Sequence, residues 1–110
     1  MLMLPDTKVY LSTVATDMRK SFDSLAQLVK DSLSQDVFSG ELFVFFNRKV
    51  DRVKILYWDR NGYCLWAKRL EDGRYPVPRV EGKVARMRLS ELSMLLEDID
   101  LTHRRRLTPI

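Results

Sequence analysis

The sequence predicts one α+β domain spanning residues 1–110, with about five mostly antiparallel strands, a longer N-terminal helix and a shorter C-terminal helix packed on the sheet. Three observations carry this reading. Apolar residues alternate with a period of two near both ends of the chain, they recur at helical spacing in two further segments, and residues 52–70 read as two strands about a turn. With 110 residues the chain is sized for one core, and 45% hydrophobic with 31% charged residues is a composition that folds.

Lys8 to Ser12 (KVYLS) alternates polar and apolar and reads as a short strand. From Thr16, a candidate cap with Asp17 in the first turn, Met18, Phe22, Leu25 and Val29 recur at helical steps, with Ala26 and Leu33 beside them. That spacing predicts a helix from Thr16 to about Leu33 with one buried face. Asp36 to Gly40 (DVFSG) supplies turn residues. Glu41 to Phe46 (ELFVFF) is almost wholly apolar and reads as a strand buried on both faces. NRKVD, residues 47–51, is a polar connector of hairpin length.

The stretch RVKILYWDRNGYCLWAKRL, residues 52–70, combines aromatic and basic side chains around Asp59-Arg60-Asn61-Gly62. Asp at the start of a turn and Gly at a left-handed position predict a three-residue hairpin closing on Asp59 and Tyr63. That register puts Lys54, Leu56, Trp58, Cys64, Trp66 and Lys68 on one face, and Val53, Ile55, Tyr57, Tyr63, Leu65 and Ala67 on the other. A two-residue Asn61-Gly62 turn would instead bring Trp66 to the Tyr57 face.

Residues 71–83, with two glycines and two prolines, read as irregular apart from a brief extended piece at Arg74 to Val77. Ala85 to Leu89 alternates again as a final strand. Ser90 can cap a second helix in which Leu92, Leu95, Leu96 and Ile99 follow the helical pattern. Residues 102–110, within THRRRLTPI, are polar and end beside a proline, so they are expected as a flexible basic tail.

Net charge is +4, but it is unevenly spread. Residues 48–88 hold twelve basic and five acidic side chains, while the segments on either side are both slightly acidic. A polyanion-binding surface would show this asymmetry, and so would a solvated basic face. The opening residues lack the cationic region and apolar run of a signal peptide, and no stretch approaches the length of a membrane span. With a single cysteine and no internal disulfide, a cytoplasmic protein is expected, with no membrane partner.

Catalytic and metal sites are not expected. His103 is the sole histidine and lies in the tail, Cys64 falls inside a strand as a small packed side chain, and no glycine-rich phosphate loop is present. The carboxylates are scattered, and Asp17 and Asp59 have local structural uses, so a metal-dependent nuclease is the least favoured reading. No cofactor is implied. The better candidates are cations for phosphate contact, Arg48, Lys49, Arg52, Lys54, Lys68, Arg69 and Arg74, with Trp58 and Trp66 as stacking platforms for bases. The competing use of the tryptophans is to cover a helix, with the lysine stems lying along the sheet.

Four segments together carry a resemblance. TDMRKSFDSLAQLV (16–29), FSGELFVFFNRK (38–49), DRVKILYWDRNGYCLWAKRLEDGRY (51–75) and RLSELSMLLEDID (88–100) resemble, in this order, the small accessory transposition proteins of the bacterial insertion sequence sixty-six family. Ser21 and Ser24 stand where that family usually has glycines, Tyr57 where a tryptophan is common, and Val77 where an aromatic residue is frequent. The resemblance implies a non-catalytic role in DNA transposition beside a separate, larger transposase, and it brings no catalytic residue to carry over. The implied partners are DNA at the element's ends, the large transposase, or both. A pure interaction module for the transposase, without DNA affinity, is the alternative. A homo-oligomer is compatible with the surplus of apolar sheet faces over helices.

Overall fold

The computed structural model describes residues 6–97. Strand β1 (Lys8–Ser12) is followed by helix α1 (Phe22–Asp31), a single 3-10 turn (Val37–Ser39) and strand β2 (Leu42–Phe46). Strands β3 (Arg52–Asp59) and β4 (Gly62–Arg69) form a hairpin, and β5 (Val84–Arg88) runs straight into helix α2 (Leu89–Glu97). The strands make one sheet in the order β4-β3-β2-β1-β5. β1 and β2 are parallel and all other neighbours antiparallel, so the architecture is α+β with five mostly antiparallel strands and two helices. The expected tail at 102–110 and Ile99 lie outside the described residues.

Each face of the sheet has its own core. Tyr10, Phe43, Phe45 and Leu56 meet Leu25 and Val29 of α1 on one side, whereas Val9, Leu11, Leu42, Val44 and Phe46 meet Leu92 and Leu95 of α2 on the other. All five residues of β2 are buried, as its unbroken apolar run predicts for a central strand. At roughly 1.5–3 kcal/mol for each large apolar side chain taken out of water, these two layers are the main stabilising term.

The first helix begins later than its apolar spacing suggests. Thr16 is not a cap: its N–H donates to the Phe46 carbonyl at 2.8 Å, tying the chain across the end of the sheet. Asp17 closes a turn instead, accepting the Arg19 N–H at 2.9 Å and gripping the same residue's guanidinium through both oxygens. That pairing holds the Asp17 carboxyl at about 2, below the usual carboxylate range. The helix starts after Ser21, whose N–H donates to Ser24 Oγ at 3.0 Å, so Ser21 and Ser24 organise the helix entry. At the second helix Ser90 lies within the first turn rather than before it, and the Glu91 carboxylate accepts the Arg88 N–H at 3.0 Å.

The hairpin register is also corrected. Asp59 pairs with Gly62, Tyr57 with Cys64 and Ile55 with Trp66, leaving a two-residue loop of Arg60 and Asn61. Cys64, Trp66 and Lys68 therefore share a face with Val53, Ile55 and Tyr57, while Tyr63, Leu65 and Ala67 join Lys54, Leu56 and Trp58. The strand β3 faces are as expected; those of β4 are exchanged.

Candidate nucleic-acid interface

Because β1 and β2 are parallel, their carboxyl ends open side by side, and the chain leaves both at the same edge of the sheet. Beyond them lies a crevice of about 840 Å³, walled by residues 12–15, by the β2–β3 loop and by residues 74–80. Its lining includes Arg48, Arg74 and Arg79 and, among the described residues, not one carboxylate. Proline and valine side chains from residues 76–80 complete an apolar wall.

The β2–β3 loop is built to hold its shape. Asn47 Oδ1 accepts the N–H groups of Asp51 at 3.1 Å and Arg52 at 3.0 Å, and Asn47 Nδ2 donates to Asp51 Oδ1 at 2.6 Å. Val50, a β-branched residue, sits at φ 56° in the left-handed region, a conformation that persists only where neighbours enforce it. Its carbonyl accepts the Tyr75 N–H at 2.8 Å, while the Asp51 carbonyl accepts the Leu70 N–H at 2.7 Å. Arg48 and Lys49 are therefore exposed cations on a braced loop.

Tyr75 anchors the facing segment. It is buried against Phe46, with ring centroids 5.5 Å apart, and its hydroxyl has no hydrogen-bond partner among the described residues. Burial pushes that phenol above its ordinary pKa. Gly and Pro frequency marked residues 71–83 as irregular, and only the fold reveals that this segment carries a core aromatic.

A second, smaller basic hollow of about 320 Å³ lies at the open base of the hairpin, with Arg52, Lys54, Lys68 and Arg69 in its lining. Arg52 stands directly opposite Arg69 in the ladder. Like charges opposed in this way cost stability unless an anion offsets them. Glu71 offsets one of the two, accepting from Arg69 at 3.1 Å, in an exposed pair that water screens. Lys54 is otherwise engaged, its Nζ donating to the Lys20 carbonyl at 2.6 Å.

Of the nine residues expected at the site, the fold gathers Arg48, Lys49, Arg52, Lys68, Arg69 and Arg74 at one end of the sheet. It separates the two tryptophans. Trp58 lies beside the turn at the far end, edge-on to Phe38 at 4.9 Å and to Tyr63 at 5.0 Å. Trp66 lies on the other face, 39% exposed, opposite Ile55 in the ladder and lining one hollow with Leu92 and Leu96 of α2. They do not form one stacking platform. Arg79 was missed, since its only sequence signal is a cation beside a proline. Among the described residues no cluster of His, Cys, Asp or Glu could hold a metal ion, and no helix is long and apolar enough to cross a membrane.

Comparison with known proteins places this chain in a family. A protein of Sinorhizobium fredii, the uncharacterized y4hO, is 39% identical over 104 residues, covering 92% of this chain and 90% of its own. A second from the same organism, the uncharacterized y4jC, is 32% identical over 99 residues, covering 90% and 85%. No solved structure matches. The family model described as IS66 Orf2 like protein matches residues 7–106, and so the chain belongs to this insertion-sequence family and has a transposition-associated role.

Proposed function

We propose that the protein is a non-catalytic accessory factor that binds DNA through the basic end of its sheet and helps assemble the complex that moves its insertion sequence. The single observation behind this reading is the crevice beyond β1 and β2, where Arg48 and Arg79 converge beside Arg74 and, among the described residues, no carboxylate joins the lining. The hairpin base, with Arg52, Lys68 and Arg69, extends the same charge along the sheet end. Guanidinium groups match phosphate oxygens in geometry, and a braced loop presents them with little ordering left to do. Phosphate contacts position a protein on DNA without choosing a sequence, which suits an accessory factor.

The test is anisotropy of a labelled duplex carrying the element's terminal repeat, beside a scrambled duplex, across a salt series. Binding should weaken with a log–log slope of roughly −4 or steeper, as expected when several phosphates are neutralised at about −0.9 each. Absence of binding to either duplex at about 50 mM salt, from folded protein, would reject direct DNA contact. The basic end would then be assigned to an acidic surface of the transposase.

A further inference from the structure

The pole of the molecule opposite the basic crevice carries a different surface. Phe38, on the 3-10 turn, is 57% exposed, yet it is not loosely held. Its N–H donates to the Asp36 carboxylate at 2.9 Å, and Gly40 ends the turn in the left-handed region at φ 83°. Its ring stands edge-on to Trp58 at 4.9 Å and stacks at 6.1 Å on Tyr63, which also touches Trp58. Three aromatic rings are thus fixed in mutual contact with the outermost one facing water.

The rim of this cluster is acidic. Asp36 and Glu41 flank the turn that carries Phe38, and Asp59 follows Trp58 at the end of β3. A cation does reach the rim: the exposed Arg60 lies 4.0 Å from Asp59. The balance of these four groups is negative, against a chain whose net charge is +4. That sign does not favour DNA at this patch.

We infer that Phe38, Trp58 and Tyr63 form a docking site for a peptide segment of a partner protein, one that presents an apolar side chain between lysines or arginines. Charge complementarity selects the basic flanks. The preformed ring cluster supplies the apolar anchor, and rigid aromatics of this kind dominate binding energy at interfaces. The site is separate from the basic crevice, so DNA and a protein could be held at the same time, at opposite poles. It does not depend on the crevice binding DNA.

The experiment is selection of displayed random 12-residue peptides on the full chain, followed by affinity measurement of the enriched peptides against variants. Enriched peptides should combine apolar residues with Lys or Arg, bind at least about tenfold more weakly to Phe38→Ala, and weaken again with Glu41→Lys. Phe38 is 57% exposed, so the variant should stay folded, with a modest drop in melting temperature from the lost ring contacts, and should keep the wild-type duplex affinity. Failure to enrich basic apolar peptides, or equal binding to Phe38→Ala, overturns the inference. So does a concentration-dependent dimer that Phe38→Ala abolishes, which would assign the patch to a second copy.

Discussion

Asp59 pairs directly with Gly62 across the hairpin, and this leaves Arg60 alone to make the left-handed turn at φ 49°. A non-glycine residue held there costs about 1–3 kcal/mol, against roughly 0.5–1 kcal/mol for the freedom a glycine loses on folding. Its ion pair with Asp59 is long and exposed and offsets little. Arg60→Gly should therefore raise stability by about 0.5–1 kcal/mol in urea unfolding. A loss of stability would show that the loop is not strained.

Asn47 satisfies two backbone donors and one carboxylate of the loop that carries Arg48 and Lys49. Asn47→Ala should cost about 1–3 kcal/mol in chemical denaturation, since no other side chain replaces those bonds. Duplex affinity should fall with it, because Val50 would be released from its left-handed conformation and the loop would lose its fixed geometry. A variant that loses stability but binds DNA as before would separate the brace from the interface.

Tyr75 and Tyr57 make different demands on stability experiments. The Tyr75 hydroxyl is buried without a partner among the described residues, so Tyr75→Phe should stabilise by about 1 kcal/mol, measured at neutral pH. For Tyr57, burial and then the Cys64 thiol opposite push the phenol up to about 12. With the folded value raised above the ordinary 10, its contribution is complete below pH 10 and is lost as the pH climbs towards 12. Tyr57→Phe should flatten the fall of stability with pH across that window, and an unchanged slope would contradict the assignment.

Charge reversal at Arg48 and Arg79 should weaken terminal-repeat and scrambled duplexes alike and flatten the salt dependence by about 0.9 for each phosphate no longer neutralised. Trp58→Phe should leave the affinity unchanged, because Trp58 lies at the far end of the sheet against Phe38. Weaker duplex binding by Trp58→Phe, with the fold intact, would restore the tryptophan to the DNA site.

Pattern alone determined much of this protein. An uninterrupted apolar run such as LFVFF has nowhere to go but the middle of a sheet, and alternation at KVYLS leaves little choice but a strand. Part of the cation-rich stretch 48–88 is brought together by folding, with Arg48, Arg52, Lys68, Arg69 and Arg79 at one end of the sheet and Arg60 and Arg88 at the other. Other features were decided only in three dimensions. Both faces of the β3–β4 hairpin are apolar, so hydrophobic pattern could not choose between registers one residue apart; the packing of Tyr63 on Trp58 and Phe38 goes with the one adopted. The start of α1 depended on Thr16 finding the Phe46 carbonyl, a bond between residues thirty positions apart that local spacing cannot contain. The crevice is of the same kind: Arg48, Arg74 and Arg79 become neighbours only because two parallel strands end together and Tyr75 pins a proline-rich segment beside them.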